Sequence, residues 1–298
     1  MKFSYYYTNK IEEVIMHKKT VSLVLGSGGA RGLVHIGIIK YLEEHNYEIK
    51  SISGCSIGAL IGGFYAAGKL DIYENWLKEI DTIDMLKLLD FKGSGGIVSG
   101  EKLMKKLSML IGDYNIEDLG ITFTAVATNI DTEKEVWINS GSLLNAVRAS
   151  ISLPMFFTPF ISSSGARLVD GGVLNPVPIA PTFKDDTDLT ISVNLGGEAS
   201  SSLPIKKKNL DTSISKKIQK YMQNISLPDA ITKEDGMYVI ANKSFETMQG
   251  TLARMKLAAY PSDIEIDIPR NLCGTFEFNK SEELIEYGYN LCKNRDDL

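Results

Sequence analysis

Apolar positions along the chain fall into short blocks that alternate between two spacings. Residues 21–25 (Val-Ser-Leu-Val-Leu), 49–53, 121–128 and 189–193 are compact apolar runs bounded by turn residues, and each predicts a strand. Between the first two, 30–44 places Val34, Ile38, Ile39, Tyr41 and Leu42 at helical spacing. Residues 57–67 predict a helix rich in small side chains, and helical patterns continue through 72–89 and 100–110. The segment 135–138, after the turn-like Asp131-Thr-Glu-Lys134, reads as a hairpin partner of 121–128. A short helix at 143–149 and a short strand at 167–169 follow. Helices at 244–259 and 282–290 flank a strand at 264–268. Strands alternating with helices imply βαβ units, an α/β class and a mainly parallel sheet.

Three stretches follow from this pattern. Residues 1–18 form a polar and aromatic lead-in without periodicity, with Met16 as a candidate internal start. Residues 19–195 carry the alternating core. Residues 196–298 are expected to be a linker, its loop spanning 196–208, and a C-terminal helical part that completes the same domain.

At 298 residues, 44% hydrophobic and 23% charged, the chain needs neither disulfides nor a metal to build a core. A net charge of −5 argues against general nucleic-acid binding, which relies on a basic field. Cys55, Cys273 and Cys292 are too few and too scattered for a disulfide framework. The first apolar run has five residues, short for a signal peptide, so a cytoplasmic location is expected.

The strongest chemical signal is Gly54-Cys-Ser-Ile-Gly58, set between a predicted strand and a predicted helix. It has the G-x-S-x-G form in which a sharp turn exposes a serine hydroxyl above a helix N-terminus. A bare copy of this pattern is more often a loop; the strand before it and helix after it favour catalysis. The usual Ser-Asp-His order is excluded, because His17, His35 and His45 all precede Ser56. His35 and His45 lie ten positions apart on one predicted helix and face different ways. Nothing in the spacing of Cys and His proposes a metal, and no cofactor is expected.

Gly26-Ser-Gly-Gly-Ala-Arg-Gly32 opens the first helix. A dinucleotide loop would need an acidic residue at the end of the second strand, where the serine elbow stands instead. What remains is either a tight βα turn or a glycine nest whose amides can hold an oxyanion. Leu168-Val-Asp-Gly-Gly172 is either a plain turn or, with no histidine left, the source of a base, Asp170.

Together these motifs resemble the patatin-like phospholipases, specifically the bacterial group related to the neuropathy target esterase catalytic domain. The resemblance rests on Gly28-Gly-Ala-Arg-Gly32 with His35-Ile-Gly37, Gly54-Cys-Ser-Ile-Gly58 and Ala125-Val-Ala-Thr-Asn129. It also takes in Arg148-Ala-Ser-Ile-Ser-Leu-Pro154 and Asp170-Gly-Gly172 with Asn175-Pro-Val-Pro178. It implies a three-layer fold and a serine lipid acyl hydrolase of phospholipase, lysophospholipase or carboxylesterase type, with a Ser-Asp dyad and an acyl-enzyme. Carried over by position, Ser56 is the nucleophile and Asp170 the base. Gly28, Gly29, Ala30 and Arg31 form the oxyanion loop, and Gly32, Gly54, Gly58, Gly171 and Gly172 are the motif glycines. This chain departs from the family at Ser27, where the loop usually has glycine. The alternatives are a non-catalytic patatin-like regulatory protein, or a lipid acyltransferase or thioesterase.

Three further readings complete the picture. Arg31 either braces its loop through backbone carbonyls or holds a phosphate head group. Met155-Phe-Phe157 and Phe160 are either core or the wall of an acyl channel. Lys206, Lys207, Lys208, Lys216, Lys217 and Lys220 lie within 15 residues that hold a single acid, Asp211. That segment is either a solvated helix face or a peripheral contact with anionic membrane.

Overall fold

The computed structural model describes residues 18–80, 82–88, 98–203 and 237–298. The lead-in before residue 18 and the lysine-rich segment at 206–220 lie outside the described residues.

One eight-stranded sheet organises the molecule. Its strands are β1 (Lys19–Leu25), β2 (Tyr47–Cys55), β3 (Thr122–Asn129), β4 (Lys134–Ile138), β5 (Phe160–Ile161), β6 (Arg167–Asp170), β7 (Leu189–Gly197) and β8 (Ile264–Pro269). The order is β5-β6-β3-β2-β1-β7-β8, with β4 paired to β3. From β3 through β2, β1 and β7 to β8 every pairing is parallel. Among the described residues only the β3-β4, β3-β6 and β5-β6 strand pairings are antiparallel. The parallel centre explains the apolar runs, since strands covered on both faces need apolar side chains in both directions.

The helices are α1 (Val34–Glu44), α2 (Ile57–Ala66), α3 (Leu70–Glu79), α4 (Thr82–Leu88), α5 (Glu101–Ile111), α6 (Leu143–Ser150), α7 (Met237–Ala259) and α8 (Ser281–Lys293). Most expected elements are present, but several differ. The helix expected from residue 30 opens with a 3-10 turn, Gly29–Leu33, and becomes α-helical at Val34. The single helical pattern at 72–89 is two helices, because Ile80 turns to extended backbone at φ −84°, ψ 127°. Gly196 and Gly197, placed in the loop by sequence, are the last residues of β7. β5 was not foreseen; two residues carry no periodicity.

The C-terminal part is built into the core. β8 extends the sheet beside β7, and α8 packs across α1. That crossing depends on two glycines. A Cβ at Gly37 would lie 1.9 Å from the Ile285 carbonyl oxygen, and one at Gly288 would lie 2.2 Å from that of Val34. Gly62, costly inside a helix, is explained likewise: its Cβ would sit 2.7 Å from Ile52 on β2.

Candidate active site

The sheet directs three loops to one point. β1 and β2 are neighbouring parallel strands, so the glycine loop after β1 and the serine elbow after β2 leave the same edge. Ligands of open α/β sheets bind at such carboxyl ends. β6 arrives from the other side. Antiparallel to β3, it places Asp170 opposite Ala127, one residue beyond Val126, which is the register partner of Cys55. The register therefore delivers Asp170 beside Ser56.

Ser56 has φ 56° and ψ −124°, a conformation that non-glycine residues rarely adopt. Its amide donates to Ser150 Oγ at 2.9 Å, and Ser150 Oγ donates to the Val126 carbonyl at 2.6 Å. The turn is tight enough that a Cβ on Gly58 would lie 2.1 Å from the Leu25 carbonyl oxygen, and one on Gly54 2.6 Å from the Gly58 carbonyl. Gly32 abuts Ile57 in the same way. These three glycines are the price of bringing the two loops together.

Ser56 Oγ donates to Asp170 Oδ2 at 2.5 Å. Asp170 Oδ1 accepts the Gly172 amide at 2.7 Å and, more weakly, the Cys55 thiol at 3.8 Å. Gly171 presses against Val126, where a Cβ would meet the carbonyl oxygen at 2.2 Å. Asp170 is fully buried. Burial pushes its carboxyl from 3.8 up to about 6, against the opposite pull of the hydrogen bonds from Ser56, Gly172 and Cys55.

In the glycine loop, the Ala30 amide donates to the Thr275 carbonyl at 2.8 Å. It is committed to the backbone, which corrects the expectation that Ala30 supplies an oxyanion donor. The amides of Gly28 and Gly29 have no acceptor among the described residues. Gly29 has φ 59°, whereas Ser27 is not in the positive-φ region, so serine in place of the family's glycine strains nothing. Arg31 is buried and braces the loop: Nη1 donates to the Cys273 carbonyl at 3.3 Å, and Nη2 pairs with Glu246 at 3.7 Å. His35 Nε2 donates to the Gly26 carbonyl at 3.0 Å, and burial lowers its pKa to about 4. It is a neutral prop behind the loop. His45 stacks on Tyr41.

A cavity of about 160 Å³ opens over Ser56. Leu60, Leu103, Ile151, Leu153, Phe156 and Phe157 belong to its apolar wall. Of the two readings open for them, Phe156 and Phe157 thus take the cavity wall. Phe160 instead packs with Ala127, Ala149 and Leu168, and Met155, at φ 66°, is exposed. Arg148 holds this segment by donating to the carbonyls of Ser99 and Thr158, each at 3.0 Å.

Sequence reading missed the roof. α7 presents Asn242, Phe245, Glu246 and Gln249 to the cavity, and Thr275 and Phe276 join from the segment before α8. Gln249 Nε2 donates to Ser27 Oγ at 3.3 Å, and Thr275 Oγ1 donates to Glu246 at 2.6 Å. The spacing 242-245-246-249 is one helical stripe and was a usable signal; expecting the helix only from 244 hid its start. Lys256 of α7 pairs with Glu135 of β4 at 2.6 Å, and Glu135 also accepts from Asn175 at 2.9 Å. Among the described residues there is no group of metal-binding side chains and no helix long and apolar enough to cross a membrane.

A family model described as patatin-like phospholipase matches residues 23–183. An uncharacterized NTE family protein of Mycobacterium tuberculosis is 33% identical over 320 residues, covering 90% of this chain and 89% of that protein. Lysophospholipase nte1 of Emericella nidulans is 28% identical over 276 residues; the match takes in 91% of this chain but spans only 18% of the fungal protein. Among solved structures, VipD from Legionella pneumophila aligns with a TM-score of 0.40 at 16% identity, over 91% of this chain and 67% of that one. With more than half of its length matched by the family model, and most of it shared with a relative one-third identical, the chain belongs to the patatin-like phospholipase family.

Proposed function

We propose that the chain is a serine lipid acyl hydrolase, acting on carboxylic esters of phospholipid or lysophospholipid type through a Ser56-Asp170 dyad. The observation that carries this is the 2.5 Å hydrogen bond to the buried Asp170 carboxylate from Ser56 Oγ, a residue that lines an apolar cavity. Family membership and the likeness to fungal lysophospholipases support the lipid substrate.

Asp170 Oδ2 takes the proton as Ser56 Oγ attacks the ester carbonyl. The carbonyl oxygen becomes an oxyanion and is held by the Gly28 and Gly29 amides, with the positive end of α2 behind Ser56. One such donor is worth about 3 kcal/mol in the barrier. Asp170 returns its proton to the leaving alcohol, leaving acyl-Ser56. Water, deprotonated by the same carboxylate, then releases the fatty acid and restores the serine. The apolar wall around Phe156 and Leu60 accommodates the acyl chain.

Steady-state hydrolysis of a lysophospholipid by wild type, Ser56→Ala, Asp170→Asn and the double variant tests the reading. Each single variant should lose nearly all turnover while folded, and the double should lose little more, because such residues act as a unit. Full hydrolysis by folded Asp170→Asn would overturn the dyad.

A further inference from the structure

Beside the apolar cavity lies a second, polar one of about 450 Å³. The two share four wall residues, Ser27, Arg31, Glu246 and Gln249. The partition between them is therefore the Gln249–Ser27 hydrogen bond and the Arg31–Glu246 pair.

Its charge is one-sided. Among the described residues Arg31, Lys243, Arg254 and Arg270 line it, against Glu246 as its one acid. Among the described residues Lys243, Arg254 and Arg270 form no ion pair, although the chain as a whole is acidic. The hydrogen bonds they make are few: Arg254 Nη2 to Thr251 Oγ1 at 3.1 Å, and Arg270 Nη1 to the Gly197 carbonyl at 3.5 Å. Glu198, Glu265 and Asp267 lie beyond the two arginines in an adjoining cleft and pair with neither. A second, independent feature is Arg31 Nε, a donor buried in the partition with no partner. Leaving a buried charged donor unsatisfied is costly and calls for an acceptor.

We propose that this cavity binds the phosphate of the substrate's head group while the acyl chain occupies its apolar neighbour. The assignment rests on the hydrolase reading above and adds to it the place where the phosphate is held and the side chains that hold it. Arg254 and Arg270 approach the phosphate from the rim, Lys243 adds its charge from α7, and guanidinium groups match phosphate oxygens in pairs. The ester linkage then lies across the partition, beside the Gly28 and Gly29 amides.

The test pairs kinetics with binding on the full chain. For the first, the KM of a lysophospholipid is divided by that of a monoacylglycerol with the same acyl chain, in wild type and in Arg254→Gln/Arg270→Gln. That ratio should rise about tenfold or more, the scale of losing charge-assisted hydrogen bonds. For the second, Ser56→Ala protein is titrated calorimetrically with glycerol 3-phosphate, inorganic phosphate and glycerol. Glycerol 3-phosphate should bind more tightly than either, and the double arginine substitution should abolish its binding. An unchanged KM ratio would overturn the proposal, as would glycerol 3-phosphate binding no better than glycerol. Equal binding of inorganic phosphate with an unchanged ratio would assign a free-phosphate site and overturn the head-group reading. Failure of the hydrolase reading itself is separate: it would show as absent turnover on both esters, with the calorimetry still reporting on the cavity.

Discussion

Ser150 Oγ accepts the amide of Ser56 at 2.9 Å, tying the nucleophile's strained backbone to α6. Because Ser150 is buried and spends its own proton on Val126, it has no freedom to turn away. The Ser56 amide is thereby unavailable to an oxyanion, and the proposed mechanism gives that duty to Gly28 and Gly29. Ser150→Ala should strand a buried amide and cost about 1–3 kcal/mol in denaturant unfolding. It should also lower kcat more than it raises KM, since the hydroxyl it positions reacts only in the chemical step.

The buried carboxylate sets a pH profile. Asp170 acts as a base only when ionised, so kcat/KM should fall about tenfold per pH unit below about 6 and level off above it. Stability runs the other way. A group whose folded pKa, about 6, exceeds its ordinary value of 3.8 stabilises the fold fully below pH 4, and that contribution is lost as pH rises through 6. Melting of wild type beside Asp170→Asn across pH 4–8 checks this: the variant should gain relative to wild type as pH rises.

His35 is the residue most easily mistaken for the missing base. Its pKa of about 4 and its bond to the Gly26 carbonyl make it a structural support. His35→Gln should keep ester hydrolysis within a few-fold of wild type, with the acid limb still at the Asp170 pKa. A loss on the order of 10³-fold, the scale of a general base, would reassign the role.

The α1–α8 crossing predicts a purely steric effect. Gly288→Ala places a methyl 2.2 Å from the Val34 carbonyl oxygen, where backbone cannot give way cheaply. Chemical denaturation should show a loss of about 1–3 kcal/mol or more. A neutral result would mean that the helices separate freely.

The parts of the site carried by local backbone grammar were legible in sequence. The serine elbow, the glycine turn and the D-G-G turn each need glycine where a Cβ would strike a carbonyl, and such needs leave a fixed mark. Residues that reach the site through tertiary packing left at most a weak one. Thr275 removes Ala30 from the oxyanion set by a backbone contact 245 positions away. Gln249 and Glu246 form the roof through a helix whose pattern reads like any other. Ile80, which lines the cavity, breaks a helical run that is continuous in hydrophobicity.

The most direct measurement of the central claim is intact-mass analysis of fluorophosphonate labelling over time. The chain should take up one adduct on Ser56, and none in Ser56→Ala. In folded Asp170→Asn the rate of uptake should fall by about 10²-fold or more, the scale of losing a positioned base. Labelling that persists in Ser56→Ala, or that proceeds at the wild-type rate in Asp170→Asn, would contradict the Ser56-Asp170 account.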